Sequence, residues 1–200
     1  MAIRMAGFAL AFVLAVSTLA IGADIYQIDP QHTDVGFSIR HMVINNVKGS
    51  FKDFVGTIEY DGKDLLGLKA GGTIQVKSVD TGIAKRDEHL RSPDFFDVEK
   101  YPDIKFQGER VEKQGEGFAM VGKFTMHGVT KDITIPFTLS GPVKDPWGQS
   151  RIGLEANLTL NRQDYGVNWN KTLDNGGVLV GDEVKIEINA EAVKQEPAKK

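Results

Sequence analysis

Cysteine is absent from this chain of 200 residues, which excludes disulfides, iron–sulfur clusters, thiolate zinc sites and a cysteine nucleophile. A basic surplus is absent too, because 24 Lys and Arg stand against 27 Asp and Glu, a formal net charge of −3. Proteins that bind nucleic acid normally carry such a surplus, so we expect no nucleic-acid partner. With 41% hydrophobic and 26% charged residues, the composition is that of a folded globular domain and excludes disorder over most of the length.

Helix-favouring runs are scarce beyond the N-terminus, whereas glycine is abundant with 22 residues. The dominant pattern is an alternation of apolar and polar side chains, which is typical of half-buried antiparallel strands. Turn-forming pairs, among them Asn45-Asn46 and Asp61-Gly62, separate the alternating segments, and Pro136 predicts an edge, a bulge or a seam. Eight such segments are found: residues 35–43, 54–60, 74–78, 104–106, 118–126, 133–139, 152–160 and 184–190. The pattern predicts an all-β protein.

One stretch, residues 82–101, departs from the alternation and predicts a short helical insertion. Ala84 to Leu90 suits one helix. Ser92, as a cap before Pro93, predicts the start of a second.

The first 23 residues differ from all that follow. Arg4 precedes an apolar run, and the small residues Ala20, Gly22 and Ala23 end it. This order predicts a signal peptide over residues 1–23, cleaved after Ala23. Cleavage after Gly22 and an uncleaved membrane anchor are the alternatives. A secreted chain without cysteine fits the bacterial periplasm.

The remaining chain is long enough for one domain, and no internal repeat or linker divides it. We place this domain at residues 24–193 and a flexible charged tail at residues 194–200.

The eight predicted strands can form a sandwich or close into a barrel, and closure would remove exposed strand edges. The apolar face would either fill the interior or line a cavity for one small ligand. An outer-membrane barrel would turn charges such as Lys123, Glu155 and Lys185 into a narrow lumen, so we expect a water-soluble form. The residues that we predict to line an apolar pore are Phe37, Ile39, Phe54, Ile74, Phe106, Phe118, Met120, Phe124, Met126, Ile135, Phe137 and Leu158.

Catalytic motifs are weak. No pair among the four histidines has the spacing of a helical zinc site, Ser38 and His41 point to opposite faces of a strand, and the carboxylates are scattered. We predict no catalytic residue, no metal and no cofactor, although a metal site assembled from distant strands stays open. Polar residues near the ends of the strands are candidates for contacts to a ligand head group, since Arg suits a pyrophosphate and His a quinone carbonyl. These candidates are Arg40, His41, Arg86, His89, Arg162 and Trp169.

Four blocks in a fixed order resemble the signatures of the YceI-like family of polyisoprenoid-binding proteins. They read DVGFSIRH with VKGSF, RDEHL with DFFD and YP, HGVTK, and NRQDYGV, where Gln163 stands at a position that is more usually Ser. The match spans the domain, from about Asp24 to Val193.

The resemblance implies a lipocalin-like barrel of eight antiparallel strands in the periplasm. It implies that the pore holds an isoprenoid lipid, either a polyprenyl phosphate or pyrophosphate or the tail of an isoprenoid quinone such as ubiquinone. It also implies transient contact with a cytochrome b561-type membrane protein, and it allows a homodimer. No catalytic residue carries over.

We therefore expect a periplasmic carrier or sequestering protein rather than an enzyme. Two alternatives stay open at this point. One is an enzyme acting on a lipid or quinone in the barrel, for which His41 is the reactive group on the apolar face. The other is a stress-response protein with a packed core.

Overall fold

The structure, a computed structural model, describes residues 22–174 and 176–196. The predicted signal peptide, apart from its last two residues, and residues 197–200 of the predicted tail lie outside the described residues. Within the described ranges the chain is mostly strand, as the alternation predicts. The strands are β1 (Asp24–Ile28), β2 (Asp34–His41), β3 (Asn45–Phe51), β4 (Phe54–Tyr60), β5 (Lys69–Gln75), β6 (Val79–Asp80), β7 (Asp103–Gln114), β8 (Gly117–Met126), β9 (Val129–Lys144), β10 (Ser150–Asn161) and β11 (Val180–Lys194).

The sheet closes into an eight-stranded antiparallel barrel, and the fold predicted from the sequence is confirmed. The long strand β11 pairs with β10 on one side, and on the other with β1 near residue 193 and with β2 from residue 180 to residue 189. Strands β1 and β2 therefore share one position in the ring, as do β3 with β4 and β5 with β6. The order round the barrel continues through β7, β8, β9 and β10 back to β11.

Each of the eight predicted segments overlaps a strand at a different position of this ring. The predicted strand over residues 74–78 is only partly right, because β5 ends at Gln75 and Val76–Ser78 form a 3-10 helix. Strands β1, β3 and β6 were not predicted from the sequence. Asn45-Asn46, predicted as a turn, begins β3 instead, and the turn covers Met42–Ile44. Strand β3 escaped prediction because Gly49 interrupts its apolar face.

The helical insertion contains one helix, α1 (Ala84–Arg91), close to its predicted range. The predicted second helix at Ser92 is wrong, and consecutive turns stand there. The amides of Phe95 and Asp97 both donate to the carbonyl of Ser92, at 3.0 Å each. These are turn hydrogen bonds, and they do not continue as a helix.

Pro136 marks a seam, one of its three predicted roles. It pairs with Ala119 of β8, while the ladder between β9 and β10 stops at its neighbour Phe137, opposite Ala156. Proline has no backbone N–H to donate to a neighbouring strand, so it is expected where a hydrogen-bond ladder ends.

The apolar face of the strands points into the barrel. Buried residues form two clusters, one around Tyr26, Leu68 and Ile152 and the other around Phe51, Val79 and Tyr165. The charged face, including Lys123, Glu155 and Lys185, is exposed. None of the described helices has the length and apolar character needed to cross a membrane.

The closure of the ring is reinforced by a charged network around Arg151 of β10. Its guanidinium donates to Asp145 at 2.8 Å, to Glu191 of β11 at 2.6 Å and to Asp29, which follows β1, at 3.0 Å. The network thus joins the first strand to the last two. The hydrogen bond from Arg151 holds the pKa of the Asp145 carboxyl below its ordinary value of 3.8.

We expect replacement of Arg151 by Met to lower stability at neutral pH and to flatten the loss of stability in acid. A carboxyl whose pKa is lowered by folding stabilises the protein above pH 3.8, and that contribution disappears as the pH falls below this value. The measurement is the urea midpoint at neutral pH and at several pH values below about 4.

Arg110→Met is the matched control, because Arg110 pairs with Glu112 on the exposed surface. Identical acid profiles for the Arg151 variant and the unchanged protein would show that the network does not stabilise the closure.

Candidate functional site

A long apolar cavity of about 680 Å³ occupies the barrel interior. Its volume lies within the range of about 300–1,000 Å³ that is typical of small-molecule sites. Eleven of the twelve residues predicted to line an apolar pore do line it: Phe37, Ile39, Phe54, Ile74, Phe106, Met120, Phe124, Met126, Ile135, Phe137 and Leu158. Phe118, the twelfth, packs against the buried cluster around Tyr26 instead. The interior is therefore not plugged by its own side chains.

Small residues on the inner face make this room. Ala156 of β10 and Ala190 of β11 line the cavity. Gly56 of β4 and Gly72 of β5 also line it, but close approach of neighbouring atoms requires glycine there, because a Cβ at Gly72 would lie 2.8 Å from the carbonyl oxygen of Val55 and one at Gly56 3.0 Å from Cγ1 of Ile28. Gly49 has a different role. A Cβ there would lie 2.5 Å from Cζ of Phe37, so only glycine leaves space for the Phe37 ring. Larger side chains at these positions would consume the space.

The cavity has one closed end, formed by the cluster around Tyr26. Ile58, Leu68 and Met120 line the cavity at this depth. Beyond them Tyr26 and Ile152 are each 1% exposed and fill the barrel. A guest molecule must therefore enter from the opposite end.

The opposite end, here called the mouth, is lined by five of the six predicted head-group residues, namely Arg40, His41, Arg86, His89 and Trp169. Helix α1 lies over this end and contributes Arg86 and His89. The His89 ring packs edge-on against Trp169 at 4.9 Å between centroids, and its Nε2 is 2.9 Å from Asp94. The mouth thus combines aromatic surface with hydrogen-bonding groups.

Arg162, the sixth predicted head-group residue, also lines the cavity, but its guanidinium is engaged elsewhere. The side chain is buried, and it donates from Nη1 to the carbonyl of Val167 at 2.6 Å and from Nε to that of Gly181 at 2.8 Å. Burial lowers the pKa of the Arg162 guanidinium, and the nearby Asp182 opposes that shift. The geometry favours a structural role in which Arg162 ties the loop after β10 to the start of β11.

A hydrogen-bonded anchor, not predicted from the sequence, holds α1 over the mouth. Asp87 is buried, and its Oδ1 accepts from both the amide of Thr81, at 2.8 Å, and the Thr81 hydroxyl. Arg86 Nε donates to the same hydroxyl at 2.7 Å. The sequence did not indicate that Asp87 is buried, because its hydrogen-bond partner Thr81 lies outside the helix, directly after β6.

One group of possible metal ligands occurs in the parts of the chain that the structure describes. Asp29, His32 and Glu191 bring ligand atoms within 4.8 Å of one another, which is the arrangement of a cation site. Arg151 already contacts both carboxylates of this group. A guanidinium at that place neutralises the charge that would attract a cation.

Comparison with known proteins yields consistent similarities. The model of the YceI-like domain matches residues 26–192. A UPF0312 protein from Serratia proteamaculans is 42% identical over 177 residues, 88% of each chain, and a protein named YceI from Salmonella newport is 38% identical over 194 residues, 96% of this chain and 98% of that one.

Solved structures share the fold. A YCEI protein of Campylobacter jejuni is 36% identical, with a TM-score of 0.65 over 84% of this chain and 96% of that one. BcnA of Burkholderia cenocepacia is 23% identical, with a TM-score of 0.72 over 82% and 98%. A polyisoprenoid binding domain from Saccharophagus degradans, implicated in plant cell wall breakdown, is 16% identical, with a TM-score of 0.63 over 85% and 98%.

We expect Asp87→Ala to loosen α1 over the mouth. The substitution leaves the amide and hydroxyl of Thr81 without their acceptor, a loss of about 1–3 kcal/mol for a buried donor. Hydrogen exchange in α1 should therefore be faster in the variant than in wild type, with the barrel strands unchanged, as measured by mass spectrometry of peptides covering residues 84–91.

Glu88→Ala is the control for this change, since Glu88 is the exposed next residue of the same helix. Equal protection of α1 in the two variants would contradict the anchoring role of Asp87.

Proposed function

The chain belongs to the YceI-like family, and we propose from this membership and the cavity that the barrel binds one isoprenoid lipid. The prenyl tail would lie in the cavity and the polar head at the mouth. The observation that carries the proposal is the apolar cavity of about 680 Å³, closed at one end and bordered by polar residues at the other. The Saccharophagus domain described as polyisoprenoid binding supports it by analogy of fold.

An isoprenoid tail suits the lining in shape and in chemistry. Phenylalanine and methionine dominate the predicted lining residues, and methionine adapts to irregular apolar shapes. Burial of apolar surface contributes about 25 cal/mol per Å², so about 500 Å² of buried tail contributes about 12 kcal/mol against association costs of about 4–15 kcal/mol. The net affinity would be useful and still reversible, as a carrier requires.

The mouth offers contacts for two kinds of head group. Arg40 and Arg86 each donate from Nε within the chain, to Val43 and Thr81, and would donate from terminal N–H groups of the guanidinium to a polyprenyl phosphate or pyrophosphate. His41 and His89 would bond to the carbonyl of an isoprenoid quinone such as ubiquinone.

We place this activity in the periplasm, reached through a cleaved signal peptide, where the protein would sequester the lipid or carry it between membranes. Binding without turnover is proposed, with no cofactor. A cytochrome b561-type membrane protein is a proposed transient partner, and a homodimer a proposed assembly.

Filling the cavity should abolish lipid uptake. Ala156→Phe places an aromatic ring inside the barrel from β10, and we expect loss of the prenyl lipid that native mass spectrometry detects after gentle purification. Uptake of added ubiquinone from detergent should fall in parallel.

Glu155→Phe is the matched control, because the same ring on the neighbouring residue points outward. Overpacking costs about 1–3 kcal/mol, so circular dichroism must show that both variants are folded. A lipid-free wild-type protein that takes up no added ubiquinone would count against the proposal. Recovery of chemically altered ubiquinone would indicate an enzyme.

Trp169 should report occupation of the mouth. The chain has two tryptophans, Trp147 and Trp169. Trp147 is 82% exposed, and its replacement by Phe leaves Trp169 as the single tryptophan. We expect ubiquinone to quench this residual emission saturably in the unchanged cavity and not in the Ala156→Phe background. Unsaturable quenching in both would show that the ligand does not bind at the mouth.

A further inference from the structure

We propose that the turn Met42–Ile44, between β2 and β3, inserts into the surface of an anionic lipid bilayer and docks the mouth against it. The inference rests on the proposed function in so far as it supposes a guest that comes from a membrane. Docking itself does not require the cavity to be filled, so the two proposals can fail separately.

Three consecutive apolar side chains stand in solvent at this turn. Met42 is 39% exposed, Val43 59% and Ile44 75%. Single exposed apolar residues are ordinary on protein surfaces, but a contiguous apolar group marks an interaction site.

The backbone of the turn is poorly suited to these residues. The amide of Ile44 donates to the carbonyl of His41 at 3.1 Å, and φ is +50° at Met42 and +63° at Val43. A tight hairpin turn with two positive φ values favours Asn-Gly, and a β-branched residue such as valine is disfavoured there. Stability of the fold therefore does not explain why Met42 and Val43 stand at these positions.

The turn is held in place from both sides. Arg40 Nε donates to the carbonyl of Val43 at 3.0 Å, and the amide of Met42 donates to the carbonyl of Leu179 at 2.8 Å. The apolar tip consequently projects from a fixed base.

The tip borders the mouth. His41 and Asn45, the residues on either side of it, both line the cavity, and so does Leu179. Insertion of the tip would bring the mouth to the level of the lipid head groups, where a prenyl chain could pass between bilayer and barrel without crossing water.

A bilayer surface fits this tip better than a protein partner does. A stable protein interface buries about 800 Å² on each side, more than three turn residues supply. Arg40 adjoins the tip, and Lys171, whose carbonyl accepts from the amide of Leu179, is an exposed second cation. Apolar side chains flanked by cations are the pattern of attachment to anionic lipid surfaces.

The test is flotation of the purified protein with vesicles of phosphatidylethanolamine and phosphatidylglycerol, beside vesicles of phosphatidylcholine alone. The variant carries Met42→Asn, Val43→Gly and Ile44→Thr, which supplies the residues that the turn favours. We expect wild type to float with the anionic vesicles, and the variant to bind at least about tenfold more weakly. Its thermal midpoint should be equal to or above that of wild type, because the backbone strain is relieved.

The matched control is Val143→Thr with Trp147→Ser, which removes two exposed apolar side chains at the closed end of the barrel. It should float like wild type. Loss of flotation in this control but not in the tip variant would overturn the proposal, as would equal flotation of tip variant and wild type, or no flotation of wild type.

Uptake of ubiquinone from detergent micelles separates the two proposals. The tip variant should load like wild type, since none of its three altered residues lines the cavity. Flotation by a wild type that takes up no ubiquinone would refute lipid binding alone. Loading without flotation would refute docking alone.

Discussion

The pairing of the first strand with the last is the interaction on which the rest of the structure depends. Tyr26 of β1 stands opposite Lys194 of β11, and Lys194 contacts Asp24 at 2.6 Å. Arg151 connects the same region to β10. An open sheet of the same strands would expose its apolar face to water, and its edges to other chains. Closure turns that face into the wall of an enclosed space.

Whether the enclosed space is packed or left as a cavity depends on where large side chains stand along the strands. Tyr26 and Ile152 fill the barrel at one end, whereas alanines such as Ala156 and Ala190 leave room in the middle. A protein interior is normally packed to the density of an organic crystal, so an apolar void of this size lowers stability unless a guest fills it. The unequal distribution of side-chain volume is the physical argument for a binding protein.

The mouth combines fixed and strained parts. Thr81 and Asp87 hold α1 in place, and Arg162 ties the loop after β10 to the start of β11. By contrast, Val43 holds a backbone conformation that valine disfavours and exposes its side chain. Local sequence and global fold usually agree, so a disagreement at the entrance to a cavity points to function.

The sequence by itself determined the class of fold and most of the inner face. A two-residue period shows which side chains share a face, so residues such as Phe37 and Met120 could be assigned to the interior, and four ordered blocks indicated the family. Only the tertiary structure decided that the interior is a cavity, that Phe118 stands outside its lining and that Arg162 is engaged by backbone carbonyls. The reason is that periodicity reports direction from the backbone, whereas free volume and hydrogen-bond partners depend on residues far apart in the chain. Gly49 makes room for Phe37, and Arg162 finds Gly181, through contacts that form only when the ring closes.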